Sequence, residues 1–182
     1  KHNNFDNNLT INIIKDFHAN EKYISALADR IINHRKKFSS SKKLLLSFHG
    51  IPQSYVASDE PYQDQCFKTA ELIVEKLQLK PESYDIVFQS RFGKAEWIKP
   101  YLAETLEKLG KSNEDDIQVF CPGFVSDCLE TIEEINEESR ELFLESGGKK
   151  FDYIPCLNGD SKFIDALESI IENRDHLAIS YK

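Results

Sequence analysis

Four apolar runs of strand length, each followed by a segment with helical periodicity, constrain the fold of this chain more than any other feature. The runs are KLLLSFH at 43–49, YDIVFQS at 84–90, DIQVFCPG at 116–123 and FDYIPCLN at 151–158. The helical segments that follow them span 64–79, 97–109, 126–146 and 162–173. Continuous apolar runs are typical of strands covered on both faces, and strand–helix repeats imply right-handed crossovers between parallel strands. The pattern predicts an α/β fold: a parallel four-stranded sheet flanked by helices, of Rossmann-like type.

A further strand and helix precede this set. Residues 9–17 (LTINIIKDF) are rich in β-branched side chains, and residues 21–37 carry apolar side chains at helical spacing. We therefore interpret 1–42 as a connection leading in from an N-terminal domain, 43–174 as the α/β domain, and 175–182 as a tail. The first residue is not methionine, and the 182 residues contain none, so we expect a piece of a longer polypeptide.

The composition argues against several classes of partner. A net charge of -8 disfavours nucleic acid, and no segment resembles a signal peptide or a membrane span. We therefore expect a cytoplasmic protein whose membrane contact is at most peripheral. The sequence lacks CxxC pairs and zinc-type spacings, which predicts four buried, inert thiols in a reducing compartment. These thiols belong to Cys66, Cys121, Cys128 and Cys156.

Polar and special residues collect where the predicted strands end. His49 ends the first run and is followed by Gly50, and Gln89 and Ser90 end the second. Ligands of open parallel sheets bind outside the carboxyl ends of the strands, so these side chains should face one crevice. The sequence contains no GxGxxG, GxxxxGK[ST] or GxSxG motif, which argues against the common nucleotide sites and the nucleophile elbow.

An acidic helix follows the third strand. Glu130, Glu134 and Glu138 recur every four residues and should lie on one helix face. A second row contains Glu133, Glu137 and Glu141. We interpret the second row as a solvated face and the first as a set of carboxylates that can hold a cation or relay protons. Imidazole and carboxylate without thiolate suit Fe²⁺, Co²⁺ or Zn²⁺, so the residues alone predict a metal-handling domain, with a structural role for His49 as the alternative.

The same segments resemble the motifs of the ferrochelatase family. The matching stretches are SFHGIP at 47–52, FQSRFG at 88–93, WIKPY at 97–101, CPGF at 121–124 and DCLETIEEI at 127–135. The resemblance covers residues 9–174 and implies insertion of Fe²⁺ into protoporphyrin IX to form protohaem, with Fe²⁺ as a substrate and no permanently bound cofactor. Family members are about twice this length and have two α/β domains. The chain therefore resembles the second, and the N-terminal domain is an expected partner.

The resemblance also assigns roles to particular residues. The family's catalytic histidine and glutamate fall on His49 and Glu130, and the same pair is implied as the metal site. Glu134 and Glu138 match acidic residues one and two turns further on, which implies a proton path or a secondary metal site on a helix with a π-type irregularity. Cys128 stands where many members have a histidine. Nothing after Cys156 could supply the cysteines of an iron–sulfur cluster, so none is expected.

A porphyrin-binding surface is expected beside the histidine. Its expected members are Ile51, Pro52, Gln89, Ser90 and Trp97. Of these, Gln89, Ser90 and Trp97 match residues that line the family's cleft. Ile51 and Pro52 would join Trp97 in a flat apolar wall.

Two other functions are compatible with the same residues. One is a related chelatase that acts on another tetrapyrrole or another metal. The other is a metal- or porphyrin-binding module without turnover, a reading that a short source gene would favour.

Overall fold

The computed structural model describes residues 11–38, 43–56, 60–112, 115–172 and 177–181. The strands are β1 (Ile11–Ile14), β2 (Lys43–His49), β3 (Tyr84–Gln89), β4 (Asp116–Phe120), β5 (Lys150–Ile154) and β6 (Leu177–Tyr181). The α-helices are α1 (Glu21–Phe38), α2 (Gln53–Val56), α3 (Tyr62–Leu77), α4 (Leu102–Lys111), α5 (Ser139–Glu145) and α6 (Ser161–Glu172). A 3₁₀ turn spans Pro81–Ser83, and a π-helix, Thr131–Glu138, runs directly into α5. None of these helices combines the length and the apolar character that a membrane span requires.

The central sheet has four parallel strands in the order β3-β2-β4-β5, which confirms the predicted α/β architecture. The chain passes from β2 to β3 on one side and then crosses to β4 on the other side of β2. The direction of winding therefore reverses between β2 and β4. In open α/β sheets the crevice at such a switch point is where ligands bind.

Helices cover both faces of this sheet. Leu44, Leu46 and Phe48 pack with buried residues of α1, α3 and α6, whereas Leu45, one position out of phase, packs with α4, α5 and the π-helix. Alternate side chains of a strand point to opposite faces, so a strand buried on both sides must be apolar throughout. This explains the continuous apolar run in β2, the central strand.

The helix predicted at 97–109 begins later than expected. It starts at Leu102, because Pro100 cannot donate a backbone hydrogen bond and disfavours helical geometry at the residue before it. Trp97 instead forms an isolated antiparallel bridge with Pro52. The segment between β3 and α4 is therefore an extended connection that lies along the loop following His49.

A two-stranded antiparallel sheet pairs β1 with β6, separately from the central sheet. The strand in 9–17 is confirmed by β1, but β6 lies in the segment that the sequence suggested to be a tail. The alternation of Leu177, Ile179 and Tyr181 is only five residues long, too short to predict a strand by its period alone. The pairing brings Ile11 opposite Tyr181.

Candidate active site at the carboxyl edge of the sheet

His49 is the last residue of β2 and is partly exposed, with 42% of its side chain accessible. Its Nδ1 lies 2.5 Å from the carbonyl oxygen of Gly50, which can only accept a hydrogen bond. Nδ1 therefore carries the hydrogen, and the neutral ring has its lone pair on Nε2. That Nε2 lies 3.7 Å from Oε1 of Glu130. The predicted pair is thus brought together, with the basic nitrogen on the side of the carboxylate.

Glu130 is held by the end of β3. Its Oε1 accepts hydrogen bonds from the Ser90 hydroxyl at 2.6 Å and from Nε2 of Gln89 at 3.2 Å. Gln89 is buried, and its Oε1 accepts a hydrogen bond from the Ser47 hydroxyl at 2.7 Å. This bond fixes the orientation of the amide and directs its N–H group at the carboxylate.

Ser90 also binds the next carboxylate in the row. Its backbone N–H donates to Oε1 of Glu134 at 2.7 Å, and its Oγ lies 2.6 Å from Oε2 of the same side chain. A left-handed backbone, with φ of 64°, accompanies this double contact. The hydroxyl has one hydrogen but lies 2.6 Å from oxygens of both Glu130 and Glu134. The hydroxyl can therefore donate to either carboxylate, and this position between them allows Ser90 to pass a proton from one to the other.

The row of carboxylates leads away from His49 to a cavity of about 250 Å³ between the π-helix and α4. Glu134 and Glu138 line this cavity together with Arg91 and Glu104. The π-helix confirms the expected irregularity. The second acidic row, Glu133, Glu137 and Glu141, is exposed, as predicted for a solvated face.

The predicted apolar wall stands beside His49. Pro52 bridges Trp97, and the backbone N–H of Ile98 donates to the carbonyl of Ile51 at 3.0 Å. The ring centroids of His49 and Trp97 are 6.4 Å apart, with 45° between their planes. This approach depends on Gly50, because a Cβ there would lie 2.9 Å from the Gln89 carbonyl oxygen and 3.1 Å from Cε3 of Trp97.

A mostly apolar cavity of about 220 Å³ lies at the switch point between β2 and β4. Phe48, Tyr62, Cys66 and Pro122 contribute to its lining. Tyr62 connects it to the site, because its hydroxyl donates to the His49 carbonyl at 2.9 Å. Burial raises the pKa of Tyr62, so the hydroxyl keeps its hydrogen for this bond.

Asp127 fixes the loop that leads into the π-helix, a role that sequence reasoning missed. Its Oδ1 accepts from the Tyr153 hydroxyl at 2.6 Å and from the Cys156 N–H at 3.1 Å, and its Oδ2 accepts from Asn158 at 2.6 Å. Partial burial raises its pKa, but these hydrogen bonds outweigh burial, and the net pKa is lowered. The only sequence signal was an aspartate in a strand-end loop facing an Asn-Gly pair in the next one.

The prediction that all four thiols are buried is wrong for Cys128, which is exposed. It lies in the loop before the π-helix, where its backbone N–H binds the Thr131 hydroxyl and its side chain faces solvent. The other three thiols are buried, and burial raises the pKa of Cys66 and of Cys156 to about 12. At neutral pH these two thiols therefore stay protonated and unreactive.

Across the described ranges, no three His, Cys, Asp or Glu side chains form a group that could hold a metal ion. The His49–Glu130 pair brings together one imidazole nitrogen and one carboxylate, two groups that by themselves would leave the coordination of a divalent ion incomplete.

The fold and the site together define a doubly wound α/β domain that places an imidazole and a row of carboxylates at the carboxyl edge of its sheet. A sequence model described as Ferrochelatase matches residues 1–175, and the chain belongs to the ferrochelatase family. This confirms the resemblance seen in the motifs.

Curated relatives of this family are similar over most of the chain. A ferrochelatase from Marinobacter nauticus is 49% identical over 160 residues, which are 88% of this chain and 43% of the relative. Those from Chromobacterium violaceum and Idiomarina loihiensis are 48% and 47% identical over 163 residues, 90% of this chain and 45% of each relative. The chain thus spans less than half the length of the curated relatives it matches.

Proposed function

We propose that this chain is the second half of a ferrochelatase, an enzyme that inserts Fe²⁺ into protoporphyrin IX to form protohaem in the last step of haem biosynthesis. The observation that carries the proposal is the placement of His49 Nε2 against Glu130, with the carboxylate row leading away from the pair. Membership of the ferrochelatase family supports the same reaction.

His49 acts as the base that removes protons from the porphyrin. Metal insertion exchanges two pyrrole N–H protons for one divalent cation. An imidazole suits this task because its usual pKa lies close to neutral pH. The Gly50 carbonyl keeps the hydrogen on Nδ1, so Nε2 is the atom that accepts the proton.

The carboxylate row removes these protons from the site. Glu130 receives a proton from the His49 side, Ser90 relays it to Glu134, and Glu138 delivers it to the outer cavity. Two protons leave for each Fe²⁺ that enters the ring, so the exchange conserves charge. Glu133, on the exposed face, has no part in this route.

Fe²⁺ is a substrate here, and no permanently bound cofactor or iron–sulfur cluster is proposed. His49 and Glu130 offer the ion two ligands of a type that Fe²⁺ accepts. Because the coordination is incomplete, the pair can surrender the ion to the four nitrogens of the porphyrin.

The porphyrin lies against the wall formed by Ile51, Pro52 and Trp97, near Gln89 and Ser90. A flat apolar ring gains free energy by burying its surface on both faces, so a second wall is needed. Exposed apolar residues support this requirement, because they lie in the segments after β2, β3 and β4. They are Tyr55, Phe92, Leu129 and Ile132. We assign the second wall to an N-terminal domain, place the protein in the cytoplasm with at most peripheral membrane contact, and assign no role to nucleic acid.

The test is haem formation by a longer protein that carries this chain, assayed anaerobically with protoporphyrin IX and Fe²⁺. We expect His49→Ala to lower kcat by about 10²–10⁴, the loss that removal of a general base produces. Circular dichroism should show an unchanged fold. A variant that keeps more than about a tenth of the wild-type kcat would contradict the role of His49 as base.

Parallel assays separate the alternatives. A wild-type protein that metalates only another tetrapyrrole, or accepts only Co²⁺, would identify a related chelatase. Binding of porphyrin or metal without any turnover would identify a binding module.

A further inference from the structure

Tyr101 binds the backbone of the apolar wall from behind. Its side chain is buried, with 8% of the residue exposed, and its hydroxyl lies next to both backbone polar groups of Trp97. The hydroxyl donates to the Trp97 carbonyl oxygen at 3.1 Å and accepts from the Trp97 N–H at 3.2 Å. One phenol group thereby satisfies the N–H and the C=O of the residue four positions earlier.

Tyr101 is fixed to β3 through the backbone. The Tyr101 backbone forms a parallel bridge with Phe88, and the Phe88 N–H donates to the Pro100 carbonyl at 2.8 Å. The Arg91 guanidinium lies over the ring, 4.7 Å from the centroid, and the Lys99 ammonium lies at 5.8 Å. Cations over an aromatic face are attracted by its quadrupole, so these contacts hold the ring in place while the backbone bridge fixes Tyr101 to β3, the strand that carries Gln89.

Within the described ranges, the side chain of Trp97 is not held by a hydrogen bond. Its indole Nε1 is buried and, in the described part of the chain, has no hydrogen-bond partner. The position of the ring therefore depends on packing against Gly50 and on the backbone, which Tyr101 holds.

We propose that Tyr101 is a positioning residue that sets where the Trp97 indole stands relative to His49, and so where a flat tetrapyrrole is held. The ligand in this inference rests on the proposed function, whereas the control of Trp97 by Tyr101 does not. Tyr101 touches no reacting atom. Glu96 and Ile98, the residues before and after Trp97, form backbone hydrogen bonds with the loop that follows β2. Tyr101, which is fixed to β3, therefore links β3 to this loop through Trp97.

Tyr101→Phe in the 182-residue chain tests the link, because Trp97 is the only tryptophan in the sequence. We expect a red shift of the tryptophan emission and stronger quenching by acrylamide. The Trp97 amide should exchange its hydrogen roughly fivefold faster, the effect of losing one hydrogen bond worth about 1 kcal/mol.

Tyr23→Phe is the matched control. It also removes a buried tyrosine hydroxyl bonded to a backbone carbonyl, that of Pro122 at 2.7 Å, but this bond lies elsewhere. We expect a comparable loss of stability with unchanged Trp97 emission and exchange. Arg91→Gln keeps the Tyr101 hydroxyl and removes the cation over its ring, so it should shift the Trp97 emission less and in the same direction. Because the Arg91 side chain is exposed, this variant should fold and can test the proposal even if Tyr101→Phe does not fold.

In a longer protein that carries this chain, Tyr101→Phe should raise the KM for protoporphyrin roughly fivefold and lower kcat less, because ring placement chiefly affects binding. Unchanged Trp97 emission and amide exchange would overturn the proposal. Altered Trp97 signals without any porphyrin turnover in the wild type would leave the positioning role intact and contradict the proposed function instead.

Discussion

At the scale of single residues, the site depends on side chains whose orientation is fixed by hydrogen bonds from their neighbours. Gln89 is an example: the Ser47 hydroxyl and the Cys121 thiol both lie at its Oε1, at 2.7 and 3.5 Å. Both can act as donors, so the amide cannot flip without losing them. Its Nε2 consequently faces Oε1 of Glu130, the same oxygen that lies 3.7 Å from Nε2 of His49.

Gly50→Ala should destabilise the fold and move Trp97 away from His49. The added Cβ would meet a backbone oxygen at 2.9 Å, which cannot move aside as a flexible side chain would. We expect a loss of about 1–3 kcal/mol in the free energy of unfolding, the usual cost of overpacking, measured by chemical denaturation. The emission of Trp97 should change as well.

Gly159→Ala is the matched control for this change. Gly159 also lies in a strand-end loop, but a Cβ there would meet nothing within 4 Å. It should unfold with nearly the wild-type free energy. Equal losses in the two variants would show that the contact between Gly50 and Trp97 does not limit the packing.

At the scale of elements, the π-helix determines which carboxylates reach the end of β3. Glu130 comes directly before it and Glu134 lies within it, and both contact Ser90. Glu133 is one position away from Glu134 and is exposed. A shift of one residue in the helix would therefore exchange the row facing the site for the solvated row.

Substitution along the two rows tests this register. Glu130→Gln should reduce haem formation nearly as much as His49→Ala, because the amide keeps the shape but loses charge and basicity. Glu134→Gln and Glu138→Gln should be milder because they lie further along the row. Glu133→Gln serves as the control, with activity near wild type. Similar rates for Glu133→Gln and Glu134→Gln would show that the face assignment is wrong.

The sequence predicted the strands and the helices better than the contacts between them and the residues at which they begin. Apolar runs and four-residue spacings reported the four strands and the acidic face because burial requires them. The bridging position of Ser90 depends on contacts with Glu130 and Glu134, 40 and 44 residues further along the chain, which no local pattern encodes. The tautomer of His49 depends on the adjacent Gly50 carbonyl, whose direction is set by the backbone at the end of β2 and not by residue type. The late start of α4 had a local signal in Pro100, but the apolar period of 97–109 outweighed it.

At the scale of the whole molecule, the described domain has a core that is covered on both faces and an apolar surface that is exposed at the carboxyl edge of the sheet. The strands of the central sheet are covered on both faces, and the two clusters of buried residues lie on opposite sides of it. By contrast, the apolar side chains of Phe92 and Leu129 at the carboxyl edge are 84% and 70% exposed. Exposed apolar side chains thus lie at the edge of the sheet that carries His49.

The 182-residue chain should therefore fold alone but insert no iron at a measurable rate. A porphyrin on one wall would bury only one face and lose about half of the apolar contact that holds it. The measurement is a cooperative thermal transition of the purified chain, followed by the anaerobic haem assay beside a longer protein. Haem formation close to the rate of the longer protein would refute the requirement for a second wall.

The pairing of β1 with β6 has a consequence for how this domain is joined to other segments. Ile11 and Tyr181 are neighbours across one antiparallel ladder, so the backbone arrives and departs at a single point. A short linker could close the two strands into a loop, and the chain could be reopened at the turn around Gly147, at the opposite edge of the sheet from His49. Such a circular permutant would keep every strand neighbour of the central sheet while giving the domain new ends.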